Sequence, residues 1–157
     1  MISGPHKSPP KIFIDSNSGG RTFKGLIEAA GIKVVLHSEI FKDDKISDHK
    51  WLEVISEKGW IAVTGDQATA RSFLFLEQLN RAKTHVFIVY QLNGATREAK
   101  AHHVIGFYEW MVETIMSCEP PSLWRLTKHG KNQVNIAQAL GRAKKKLKNS
   151  GQPRTPI

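Results

Sequence analysis

The strongest constraint on the fold is an alternation of short apolar runs and amphipathic helical stretches from residue 11 to residue 117. Residues 11–16 (KIFIDS), 33–37 (KVVLH), 60–64 (WIAVT) and 84–90 (THVFIVY) have the length and the β-branched and aromatic content of buried strands. Helical patterns lie between them. One covers 21–30, with Phe23, Leu26, Ile27 and Ala30 on one face. The next begins near Asp48, with Trp51, Leu52, Val54 and Ile55 at helical spacing, and a third covers 68–79. A longer one over 95–117 carries an apolar stripe of Val104, Ile105, Tyr108, Met111, Val112, Ile115 and Met116. Gly31 and Gly59 stand just past two of these helices, where a left-handed residue commonly ends a helix. Parallel neighbours need a crossover, usually helical. The pattern therefore predicts an α/β fold: a mostly parallel sheet of four to five strands with helices on both faces.

The remaining segments are less regular. SEIFKDDKIS, residues 38–47, reads as a loop. After Pro120 and Pro121, residues 122–127 (SLWRLT) predict an edge strand, followed by a turn at Gly130. A final helix is expected over 133–148, with Val134, Ile136, Ala137, Leu140 and Leu147 as its apolar positions. The length of 157 residues suits one domain, read as 11–148, with a disordered lead-in at 1–10 and a flexible tail at 149–157. Cys118 is the single cysteine, so no internal disulfide can form, which fits a reducing cytoplasm. No apolar run approaches the roughly 20 residues that span a bilayer, and MISGPHKSPP has no apolar core of a secretory signal.

Charge divides the chain in two. Residues 1–119 hold 14 Lys plus Arg and 14 Asp plus Glu, whereas residues 120–157 hold nine Lys plus Arg and no acid. The whole excess of +9 lies in this last quarter, in Arg125, Lys128, Lys131, Arg142, Lys144, Lys145, Lys146, Lys148 and Arg154. Such a block favours a polyanion, nucleic acid above all, through phosphate contact and counterion release. A solvated basic tail or a protein interface would carry the same charge.

Three acids stand at informative places. Asp15 ends the first strand, Asp66 follows the third, and Asp48 opens the helix that feeds the third. Sites on open parallel sheets assemble outside the carboxyl ends of the strands. Three converging carboxylates stay ionised together when a cation neutralises them, and an all-oxygen set selects Mg²⁺ or Mn²⁺. Each acid also has a local alternative. Asp48 and Asp66 could cap helices, and Asp15 could serve a turn.

These segments resemble the PIN-like nuclease superfamily. KIFIDSN supplies a strand-terminal Asp followed two residues later by Asn, here Asp15 and Asn17. SDHKWLEVISEKGW supplies an Asp at the start of a helix bearing Trp, here Asp48 and Trp51. IAVTGDQ supplies a Thr-x-Asp corner, here Thr64 and Asp66. The compact VapC-type toxins of VapBC toxin–antitoxin systems look most similar. The resemblance implies a three-layer α/β/α fold and a metal-dependent endoribonuclease using Mg²⁺ or Mn²⁺. It implies Asp15, Asp48 and Asp66 as metal-binding acids, with Asn17 and Thr64 orienting them. A fourth acid is expected between residues 39 and 44, with Glu39 ahead of Asp43 and Asp44. Arg71 is the expected phosphate contact beside the corner, joined by Lys144, Lys145, Lys146 and Lys148 in holding RNA. The implied partners are RNA and a cognate antitoxin, and a homodimer is compatible with the pattern.

Other chemistries lack their signatures. Ser18-Gly19-Gly20 has no following Lys-Ser/Thr of a phosphate loop. Asn17 stands where a phosphoaspartate phosphatase needs a second Asp. The seven histidines show no zinc-ligand spacing.

Overall fold

The structure is a computed structural model that describes residues 9–15, 20–41, 48–89 and 96–151, the side chains of 48, 49, 150 and 151 excepted. Chain order is β1 (Ile12–Ile14), α1 (Arg21–Glu28), β2 (Val34–Leu36), α2 (His37–Ile40), α3 (Asp48–Lys58) and β3 (Ile61–Thr64). A 3-10 helix (Gln67–Arg71), α4 (Phe73–Ala82), β4 (His85–Val89) and α5 (Arg97–Ser117) follow. The chain closes with β5 (Ser122–Thr127), β6 (Gly130–Val134) and α6 (Ile136–Gly151). The six strands form one sheet in the order β2-β1-β3-β4-β5-β6. All neighbours are parallel except the last pair, β5 and β6. Among the described residues, no helix is long and apolar enough to cross a membrane.

Strand alternation sorts the core into two layers. Ile12, Ile14, Leu36, Val63 and Phe87 face α1 and α5, while Phe13, Val35, Ala62, Val86 and Ile88 face α3, α4 and α6. The result is the expected α/β/α sandwich. Phe13 anchors the second layer. Its ring stacks on Trp51 of α3 at 5.3 Å and lies 6.5 Å from that of Trp60.

The crossovers do not share one hand. The steps β1 to β2, β2 to β3 and β3 to β4 use α1, α3 and α4, and their directions and faces are mutually consistent. The step β4 to β5 moves the same way as β3 to β4, yet lays α5 on the opposite face. It therefore has the opposite hand, against the strong preference for right-handed connections. The face beside α4 is consequently left for α6, which packs against α4 and the 3-10 helix.

Several expectations need correction. The sheet has six strands rather than four to five, and residues 122–127 form an interior strand. The extra strand, β6, is polar and pairs on one side only, so it lacks the apolar alternation that marks a strand. The last helix starts at Ile136, not 133, because the Asn135 side chain caps it by accepting from the Gln138 amide at 3.0 Å. Val134 accordingly belongs to β6, and α6 continues past 149 to Gly151. The stretch 68–79 divides at Ser72, whose hydroxyl accepts from the Phe75 amide at 3.2 Å and starts α4. Residues 37–40 form a short helix, where His37 was expected to end the second strand and a loop to begin at 38. Met116 is 79% exposed and Leu147 55% exposed, so neither joins the core. Residues 1–8 and 152–157, the outer parts of the expected lead-in and tail, lie outside the described residues. Pro10 is held by the Tyr108 hydroxyl, which donates to its carbonyl at 2.7 Å.

Candidate metal centre at the carboxyl edge

The sheet order places a switch point between β1 and β3. From β1 the chain leaves to β2 on one side, then returns to β3 on the other. Crevices outside the carboxyl ends of strands at such points are where ligands bind in open α/β sheets. Asp15 and Asp66 both follow the strands that flank it.

The β1–β3 ladder fixes the first acid. Ile14 is in register with Val63, and the Asp15 amide donates to the Val63 carbonyl at 3.4 Å, so Asp15 lies beside Thr64. Both follow the strand parity of Phe13 and Ala62 and share their sheet face. The buried Thr64 hydroxyl donates to Asp15 Oδ2 at 2.5 Å. A hydroxyl has one proton to give. The second contact of Thr64 Oγ1 is therefore as acceptor, from the Asp66 amide at 3.1 Å. One side chain thus orients the first carboxylate and holds the corner that carries the second.

Asp66 is exposed. Its Oδ1 accepts from the Ala68 amide at 3.0 Å, so it also caps the 3-10 helix. The capping alternative is real for this acid, but it uses only one carboxylate oxygen. Among the described residues, Oδ2 has no protein partner. Arg71 ends the same 3-10 helix and is exposed.

Asp48 is placed by its helix. The 11 residues of α3 span about 16 Å at 1.5 Å per residue. The helix ends at Gly59, whose amide bonds Ile55 and whose φ is +71°, just before β3 begins. Its opening turn therefore lies at the opposite, carboxyl edge. Trp51, three residues after Asp48, stacks on Phe13, two residues before Asp15. The Asp48 side chain and Asn17 lie outside the described residues, as do Asp43 and Asp44. Among the described residues, no three His, Cys, Asp or Glu side chains are grouped to hold a metal. The donors present, Asp15 and Asp66, are all oxygen, which suits a hard cation.

Glu39 has other commitments. Its carboxylate accepts from Lys24 Nζ at 2.7 and 2.9 Å and from the Leu36 amide at 2.8 Å. The Leu36 amide bond, then the Lys24 bond, hold its pKa below the usual carboxylate value. Glu28 similarly accepts from the Val34 amide at 3.2 Å. Together these carboxylates close the outer side of edge strand β2.

One residue here was not anticipated. His37 follows β2 and so lies next to Asp15 in the continued β1–β2 register. It is buried against the Phe13 and Phe41 rings, and among the described residues its Nδ1 has no hydrogen-bond partner. The sequence signal was its position, ending an apolar strand as Asp15 does. The basic block meets the site from another direction. β6 ends at the amino edge, opposite Leu123, and α6 starts there and runs to the 3-10 helix at the carboxyl edge. Lys144, Lys145, Lys146 and Lys148 are exposed on its second half.

Comparisons with curated proteins and with solved structures found no match to this chain. The profile of the PIN-like domain matches residues 10–91, just over half of the chain and all three acids. The chain belongs to the PIN-like domain family.

Proposed function

We propose that this PIN-like domain is a metal-dependent endoribonuclease. Asp15, Asp48 and Asp66 would hold Mg²⁺ or Mn²⁺, and a bound ion would supply charge stabilisation and an activated water. Thr64 fixes the Asp15 carboxylate, and Asn17, two residues on in the sequence, would assist. Arg71 and the α6 lysines Lys144, Lys145, Lys146 and Lys148 take RNA phosphates. The observation that carries this reading is the Thr64 hydroxyl, which ties Asp15 to the Asp66 corner at the switch point. An uncontrolled ribonuclease would be harmful, so the cytoplasmic toxin of a toxin–antitoxin pair, of VapC type, is the setting we favour. The test is cleavage of single-stranded and structured RNA with Mg²⁺, with Mn²⁺ and with chelator. Cleavage that survives chelation, or survives Asp15→Asn unchanged, would sink the reading.

A second reading is a non-catalytic nucleic-acid- or protein-binding module. Two observations favour it: Asp66 spends one oxygen as a cap, and Glu39 is held by Lys24 and Leu36 rather than standing beside the other acids. RNA binding without any Mg²⁺ or Mn²⁺ binding at millimolar concentration would select this alternative.

A further inference from the structure

The strand registers place an unassigned arginine in line with the acidic site. Thr64 pairs with Ile88, Ile88 with Arg125, and Arg125 with Asn132. Asp15 continues the same row on the other side of Thr64. Arg125 therefore shares a cross-strand row and a sheet face with Asp15 and Thr64. At about 4.8 Å per strand, it lies roughly 10 Å from Thr64 and 14 Å from Asp15.

Arg125 is unusual for its position. It sits on an interior strand between buried Leu123 and Leu126, yet it is exposed. The helix on that face, α6, packs on α4 and the 3-10 helix and leaves the carboxyl half of β5 uncovered. Among the described residues, no acid pairs with Arg125, Lys128 or the α6 lysines. Lys128 lies in the β5–β6 turn at the same edge. Lys131 is different, since its ammonium lies over the Trp110 ring at 5.3 Å. On the opposite flank of the acids, Lys24 is neutralised by Glu39. Arg125, Lys128 and the α6 lysines thus form a group of cations on the β5 side of the acidic site.

We propose that Arg125, Lys128 and the end of α6 form a phosphate-binding arm that holds single-stranded RNA leaving the acidic site. Arg125 takes the phosphate nearest the acids of any residue on β5 or β6, and its planar fork suits bidentate phosphate contact. The arm lies wholly beyond residue 91, outside the family match. The assignment of RNA rests on the nuclease reading, whereas the position of the arm does not.

The test is binding of a fluorescent single-stranded RNA by anisotropy, in chelator so that no cleavage intervenes. The triple variant R125Q/K128Q/K148Q is compared with K33Q/K58Q/K83Q, which removes the same charge from the amino edge. Circular dichroism checks that both fold. Each lost phosphate contact should reduce the salt slope by about 0.7, so the edge triple should lose about two units and the control little. Arg125→Gln alone should weaken binding about tenfold, the worth of one charge-assisted bond, with Arg125→Lys between it and wild type. Equal weakening by both triples, or none by either, overturns the arm. Loss of slope in the edge triple, in a protein that cleaves no RNA with any metal, keeps the arm and removes the nuclease reading.

Discussion

Residues 10–91 and residues 96–151 are built on different terms. The first region is nearly balanced in charge, with 11 Lys plus Arg against 10 Asp plus Glu, follows one crossover hand and matches the PIN-like family throughout. The second reverses the hand, adds an antiparallel strand and carries the excess of positive charge. The two outer edges of the sheet, one from each region, differ as well. Edge strand β2 has its outward amides closed by Glu28 and Glu39, whereas β6 presents a polar edge with Lys131, Asn132 and Gln133 exposed. The lesson is a division of labour within one sheet. The first region builds the acidic corner, and the second carries positive charge to that same edge without entering the corner.

The contrast can be broken first at the core. Phe13→Ala empties the ring cluster of Trp51, Trp60 and His37, and should cost about 3–5 kcal/mol in chemical unfolding. Leu147→Gln, at 55% exposure, should cost under about 0.5 kcal/mol. Equal costs would mean that the second region is as tightly packed as the first.

Chemistry comes next. Asp15→Asn should lower metal-dependent kcat/KM more than about 100-fold, since even outer partners of a metal cost 10–100-fold. Thr64→Val, which removes the link to Asp15 and the Asp66 amide, should fall within that outer-partner range, with Thr64→Ser restoring most of it. Full activity in Thr64→Val would show that the corner holds itself.

The smallest effect concerns the closed edge. Glu39 has a depressed pKa in the folded protein, so its stabilising contribution is present above the ordinary value of 4.5 and is lost as pH falls through the folded value. Glu39→Gln keeps an acceptor for Leu36 but loses the ion pair with Lys24. The pair is exposed, so the variant should lose under about 1 kcal/mol at pH 7, and less at a pH low enough to protonate the folded carboxylate. Thermal melts at the two pH values measure it.

Much of the first region could be read from residues alone. The strands ending at Asp15 and Thr64, the glycine stops at Gly31 and Gly59, and the Trp51 face of α3 all rest on local patterns of burial and capping. Glu39 could not be read correctly, because its partners Lys24 and Leu36 meet it only after β2 joins the edge of the sheet. The second region hid more. β6 has no apolar alternation, and only the Asn135 cap separates it from α6. The reversed hand depends on which face receives α5, a choice that periodicity does not encode. Arg125 reads as an ordinary edge-strand residue until the registers align it with Asp15 and Thr64.

The account stands on a metal held by the acids of the first region. Mn²⁺ titration followed by electron paramagnetic resonance reads this directly, without RNA or turnover. The expected result is one or two bound ions at submillimolar concentration in the wild type, with affinity lost in Asp15→Asn and weakened in Thr64→Val. Absence of Mn²⁺ binding at millimolar concentration, or equal binding by wild type and Asp15→Asn, would contradict it.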